Sequence, residues 1–183
     1  MTDPPPPPRT LGRRFSVVGT TGSGKSTVAC ALAAHLGVPH IELDAFQHEA
    51  DWVQAPPAVF AQRVEASTAA ESWVMDGNYS AARELAWPAA DVVVWLDLPL
   101  STVLRQLTRR TWKRLSTREV LWNGNREQLS AHLGWDGLFL WALRSHRRNR
   151  RRYSVVGQTP ETAHLTLVRL RGRRAVDAWR ASW

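Results

Sequence analysis

Eight residues near the start of the chain, Gly19-Thr20-Thr21-Gly22-Ser23-Gly24-Lys25-Ser26, satisfy the pattern G-x-x-x-x-G-K-[S/T] completely. Their setting raises them above a chance glycine-rich turn. Phe15-Ser16-Val17-Val18 reads as a short buried strand ahead of Gly19. Behind the motif, Lys25–Leu36 carries Val28, Leu32 and Leu36 at four-residue spacing, and Gly37 and Pro39 supply a helix stop. A strand that turns through glycines into a helix aims its main-chain N–H groups and the positive helix end at a phosphate. Lys25 is then placed to bridge the β- and γ-phosphates, and the Ser26 hydroxyl to ligate Mg²⁺. Gly19, Thr20, Thr21, Gly22, Ser23, Gly24, Lys25, Ser26 and Thr27 are therefore the candidate nucleotide-binding residues, with ATP and Mg²⁺ expected there.

The rest of the 183 residues repeats the strand-then-helix alternation. His40-Ile41-Glu42-Leu43-Asp44 reads as a second strand, and Pro56-Pro57 opens a helix through Val59, Phe60 and Val64. Ser72-Trp73-Val74-Met75-Asp76 is a third strand closed by Gly77. Asp91-Val92-Val93-Val94-Trp95-Leu96-Asp97 is β-branched with almost no polar interruption, as in a strand buried on both faces. A long helix is expected after Pro99, another through Leu138, Leu140, Trp141 and Leu143, a last strand at 165–170 and a closing helix from Arg174. The expectation is an α/β fold, a three-layer α/β/α P-loop NTPase with a five-stranded parallel sheet and a helical, arginine-rich lid inserted at about 110–150. Residues 1–12, with their run of five prolines, are expected to be a disordered tail, leaving 13–183 as one domain. The lone Cys30 forms no internal disulfide. No apolar run approaches the roughly 20 residues of a membrane span, and the first residues lack a signal peptide's pattern. A cytoplasmic protein with no membrane partner is expected.

Three carboxylates end predicted strands, where ligands bind in such sheets: Asp44, Asp76 and Asp97. Asp76 is the candidate second metal residue with Ser26, because the strand beside the P-loop strand is where Mg²⁺ takes a water-mediated anchor. Asp44 is the candidate to bind or deprotonate an acceptor hydroxyl, against a turn or helix-capping role. Asp97 reads as structural. The histidines show no metal spacing with Cys or acidic partners.

The net charge of +8 is concentrated. Residues 105–152 hold twelve Arg and Lys113 against three acidic residues, a local excess of ten, so the remainder is net negative by two. Such a block asks for an anionic partner, and triphosphate or nucleic acid both qualify. Several of the ten Trp lie near arginines and could stack on bases, although core packing is the commoner use of tryptophan.

Taken in order, residues 19–26, Val74-Met75-Asp76-Gly77, Leu96-Asp97-Leu98-Pro99 and the following helix with Arg105 and Arg109 resemble the adenylate kinase-like group of small P-loop kinases. Trp73-Val74-Met75-Asp76-Gly77-Asn78-Tyr79 and Trp122-Asn123-Gly124-Asn125-Arg126-Glu127 are similar to its DNA topology modulation protein (FlaR-like) subgroup. The resemblance spans about 13–183. It implies an ATP- and Mg²⁺-dependent phosphotransferase with Lys25, Arg105, Arg109 and Asp44 as catalytic residues. Further lid arginines would come from Arg126, Arg144, Arg147 or Arg148. The Pro-Arg pair that follows Asp-Gly in adenylate kinases is replaced by Asn78-Tyr79, so the acceptor is left open between a nucleotide and a metabolite hydroxyl. The alternative is a nucleic acid-associated ATP-binding protein, or an ATPase, that uses the basic 105–152 segment.

Overall fold

The computed structural model of the chain describes residues 6–117, 122–125 and 134–183. Five strands form one sheet: β1 (Arg14–Gly19), β2 (His40–Glu42), β3 (Trp73–Asp76), β4 (Val92–Leu96) and β5 (Thr166–Leu170), all parallel in the order β2-β3-β1-β4-β5. Among the described residues seven helices accompany them, six between strands and the last after β5: α1 (Lys25–Leu36), α2 (Leu43–Gln47), α3 (Pro57–Thr68), α4 (Ser80–Ala86), α5 (Leu100–Thr117), α6 (Gly134–Tyr153) and α7 (Arg173–Ala181). Each strand's side chains alternate between the two faces. On β4, Val92, Val94 and Leu96 enter a core with Val28 and Leu32 of α1 and Trp179 of α7. Val93 and Trp95 enter a second core with Phe60 and Val64 of α3, Ala82 of α4 and Tyr153 of α6. Burying β4 on both faces is what its unbroken apolar run required. Among the described residues, no helix is long and apolar enough to cross a membrane.

Two expectations give way to geometry. The second strand stops at Glu42 instead of Asp44, because its only neighbour, β3, ends at Asp76, the ladder partner of Glu42. Beyond that pair no strand partner remains, and residues 43–47 coil into α2 with Leu43 buried. Gly77 permits this tight approach: at φ +142 a Cβ there would lie 2.8 Å from the Leu43 Cβ. The second correction concerns the proline segment, of which residues 6–12 are docked instead of disordered. Pro8 is buried, the Trp179 indole donates to the Pro6 carbonyl at 3.1 Å, and Arg9 donates to the His35 carbonyl at 2.8 Å. Proline carbonyls accept hydrogen bonds as well as any, and α7 supplies the donor.

The basic segment is anchored at Asp97, just past β4. Its carboxylate is 2% exposed and receives Arg150 of α6 (Nε to Oδ1, 3.1 Å) and Arg169 of β5 (Nε to Oδ2, 2.9 Å). Arg169 in turn lies over the Trp95 ring at 4.2 Å. Arg150 thus links the end of α6 to the sheet; of the lid expected at about 110–150, residues 118–121 and 126–133 lie outside the described residues. Asp97→Ala leaves the partly buried Arg169 without its counter-ion, while Arg150, more than half exposed, adds little. Urea unfolding is expected to show a loss of about 2 kcal/mol, and an unchanged midpoint would refute the anchoring role.

Candidate functional site

A cleft of about 1050 Å³ opens at the carboxyl ends of the strands, with the glycine-rich loop as its floor. Thr21, Gly22, Ser23, Gly24, Lys25, Ser26 and Thr27 line it, whereas Gly19 and Thr20 fasten the base of the loop. The loop's shape rests on left-handed glycines, Gly22 at φ +86 and Gly24 at φ +89. Gly22 also lies where a Cβ would come within 3.0 Å of the Val103 carbonyl and the Leu107 Cβ, so α5 packs directly on the loop. Helix α1 begins at Lys25 with no side-chain cap and no acidic residue in its first turn. Its first N–H groups and the helix dipole are left for an anion, and the Ser23 hydroxyl is buried without a partner.

Asn78, assigned no binding or structural role from the sequence, staples the loop to the end of β3. Its side-chain amide donates to the Gly19 carbonyl, and its Oδ1 accepts from the Gly19 N–H at 3.3 Å and the Tyr153 hydroxyl at 3.1 Å. From α6, His146 Nδ1 lies 3.2 Å from the Thr20 hydroxyl. Burial, then Arg150, lowers the pKa of His146, so the imidazole is neutral in this contact.

One wall of the cleft is residues 44–52, the side on which an acceptor was expected, and from it Asp44, His48 and Trp52 line the cleft. The Tyr79 hydroxyl donates to Asp44 Oδ1 at 2.8 Å and lies 3.5 Å from His48 Nε2. Burial first, then the Asp44 charge, raises the pKa of Tyr79, so the phenol keeps its proton and remains a donor. Glu42, at the end of β2, also lines the cleft. It was absent from the candidates, although its place two residues before Asp44 at a strand end was the available signal.

The arginines are redistributed. On α5, Val103 and Leu107 are buried, which fixes the helix rotation. At 100° per residue, Gln106 and Arg110 then fall on the adjoining face and line the cleft, while Arg105 and Arg109 fall on the far side and are exposed. The expectation that Arg105 and Arg109 reach the site is thus corrected to Arg110. On α6, Trp141, Ser145, Arg148 and Asn149 line the cleft, whereas Arg144 and Arg147 do not. Arg126 lies outside the described residues. Asp76 is 2% exposed, is missing from the cleft lining and is engaged by His40. The carboxylates open to the cleft are Glu42 and Asp44 instead. Among the described residues, no three His, Cys, Asp or Glu side chains cluster to hold a metal by themselves.

No family model matches the chain. A shikimate kinase of Gloeobacter violaceus is 31% identical over 181 residues, covering 91% of this chain and 97% of that protein. Among solved structures, a gluconokinase from Sinorhizobium meliloti aligns with a TM-score of 0.51 at 19% identity, over 93% of both chains. A shikimate kinase from Acinetobacter baumannii in complex with shikimate gives 0.52 at 18% identity, covering 93% of this chain and 90% of that one. One from Bacteroides thetaiotaomicron gives 0.54 at 15% identity, over 92% and 94%. These likenesses establish the fold and, through the first, the family.

Asp76 acts through charge. Lys25 is partly buried at the edge of the cleft, and burial lowers its pKa; Asp76 and then Asp44 oppose that shift, and Arg110 adds to it. His40 Nε2 meets Asp76 Oδ2 at 3.2 Å, and this hydrogen bond raises the His40 pKa above 6.5 despite burial. A raised folded-state pKa contributes stability below about 6.5 that is lost as pH rises through the folded value. In Asp76→Asn, proton NMR is expected to show His40 titrating at lower pH than in the wild type. An unmoved His40 titration would disprove the coupling.

Proposed function

The chain belongs to the shikimate kinase family of small P-loop phosphotransferases, and on that premise we propose that it transfers the γ-phosphoryl group of ATP to a hydroxyl of a small metabolite seated against Asp44. The observation that carries this reading is the placement of Asp44 on the cleft wall, steadied by Tyr79 and electrically coupled to Lys25. A carboxylate in that place accepts the proton of an attacking hydroxyl. The Tyr79 phenol occupies Oδ1, which orients the carboxylate and leaves Oδ2 for the acceptor.

On the donor side, the loop N–H groups and Lys25 hold the phosphates, and Arg110 and Arg148 face the same cleft with fixed positive charge for the transferring group. The hard oxygen donors at the cleft, the exposed Ser26 hydroxyl and the Glu42 and Asp44 carboxylates, suit Mg²⁺. Ser26 would hold the ion, with Glu42 acting through water, and Asp76 would keep the neighbouring Lys25 charged. Bound there with the nucleotide, Mg²⁺ would neutralise phosphate charge.

The nucleic acid reading gains nothing from relatives that are kinases, one of them seen with shikimate. Part of the charge behind that reading is spent in the fold, with Arg110 and Arg148 at the cleft and Arg150 on Asp97.

Transfer from labelled ATP across nucleoside monophosphates, nucleosides, shikimate, gluconate and neutral polyols tests the proposal. With the acceptor so identified, Asp44→Asn is expected to lower kcat about 10²–10⁴-fold with little change in the KM for ATP. Lys25→Ala is expected to weaken ATP binding at least about tenfold. Equal ATP affinity without Lys25, or full transfer without the Asp44 carboxylate, would overturn the assignments.

A further inference from the structure

One motif has no part in the chemistry above, although it lies against the acceptor wall. Asn123 and Asn125 reach from the turn between α5 and α6 to the main chain of residues 45–52. The Asn125 Nδ2 donates to the Glu49 carbonyl at 2.7 Å, and its Oδ1 accepts from the Trp52 N–H at 3.0 Å. The Asn123 Nδ2 donates to the His48 carbonyl and, at 3.4 Å, to the Ala45 carbonyl. Asn125 is only 4% exposed. All four bonds go to backbone atoms, so the turn grips the shape of the wall whatever side chains it carries.

Both partners are shaped for the grip. Among the described residues, the non-glycine residues with positive φ are Asp51, Trp52 and Asn123, at φ 57, 58 and 54, and all three meet at this junction. Gly124 at φ +79 completes the turn and has open space around it, so backbone conformation is what calls for glycine there. Left-handed backbone at three non-glycine positions persists where surrounding bonds fix it. The wall is buttressed from behind as well, by Arg63 of α3 pairing with Glu49 at 2.7 Å and donating to the Phe46 carbonyl at 2.8 Å. The gripped segment is the one that presents Asp44, His48 and Trp52 to the cleft.

We propose that Asn123 and Asn125 are positioning residues that clamp the turn at 122–125 onto the backbone of residues 45–52, and so fix the wall that presents Asp44, His48 and Trp52 to the cleft. This rests on the phosphotransferase reading for its consequence, but not for its geometry. With the clamp set, Asp44 is held for the acceptor and bulk water is kept from the γ-phosphate. With it lost, the wall loosens and water competes.

The test uses the full-length chain and two readouts. Backbone amide exchange over residues 45–55, followed by mass spectrometry, reports the clamp itself. ATP hydrolysis without added acceptor reports its consequence. Asn125→Ala is expected to speed exchange over 45–55 about tenfold, as removal of two main-chain hydrogen bonds should. It is expected to leave the KM for ATP within about twofold and to raise acceptor-free hydrolysis about threefold or more. Asn125→Asp sets a carboxylate oxygen against the Glu49 carbonyl in place of the donor, so exchange over 45–55 is expected to be at least as fast as in Asn125→Ala, and wild-type exchange in it would overturn the clamp. Unchanged exchange in Asn125→Ala overturns the clamp. Faster exchange with unaltered or slower hydrolysis overturns its positioning role. Because exchange needs no turnover, its result stands apart from the Lys25→Ala binding test, whose failure would sink the phosphotransferase reading alone.

Discussion

Much of the site is organised around one partly buried ammonium, that of Lys25. A lysine held among protein atoms next to a phosphate cradle must stay charged to be useful, and desolvation works against that charge. Asp76 answers from β3 and Asp44 from the acceptor wall. The two carboxylates come to Lys25 from different directions because β3 lies between β1 and β2 in the sheet. The order β2-β3-β1 is thus an electrostatic arrangement as well as a topological one. His40, on β2, then supports Asp76 across the same ladder, where Glu42 and Asp76 are register partners. A sheet with β3 elsewhere would leave the P-loop lysine short of counter-charge.

The same sheet explains why the donor half of the cleft was legible in the sequence. The motif at 19–26, the strand before it and the helix after it are local signals, and α1 runs over Lys25–Leu36 as its spacing requires. The β-branched run of β4 likewise announces a strand covered on both faces. Where the reading failed, the deciding partner was distant in sequence. The end of β2 depends on where β3 stops. The docking of residues 6–12 depends on Trp179, more than 160 positions away. Asn78 gives no local sign that it bonds both the N–H and the carbonyl of Gly19, because those bonds exist only when β1 and β3 lie side by side.

The arginines make the point through rotation instead of distance. A basic helix offers charge on every face, and composition cannot say which face looks inward. On α5 the decision belongs to Val103 and Leu107: once they are buried, a turn of −60° leads to Arg110 at the cleft and a turn of about 160° leads to Arg105 in solvent. On α6 the pairing of Arg150 with Asp97 and the burial of Tyr153 leave Arg148 at the cleft. The positive segment therefore holds several populations, one facing the nucleotide site, one bolting the helix to the sheet, and one exposed. Its total charge described none of them.

Acceptor choice has to be built on top of this frame, and its materials differ from those of the donor site. Donor binding uses loop amides and a helix end, which are insensitive to neighbouring side chains. The acceptor wall has no such regular element, since α2 is one short turn and the segment to Trp52 runs through left-handed residues. A wall of that kind holds its shape only through outside contacts, and three are visible: Tyr79 on Asp44, Arg63 on Glu49, and the two asparagines on the backbone. Tyr79 and Arg63 belong to the body of the fold, so they are in place before any acceptor arrives. The asparagines come from the turn at 122–125, far along the chain from the wall, which makes them the support that only the folded approach of the α5–α6 connection can supply.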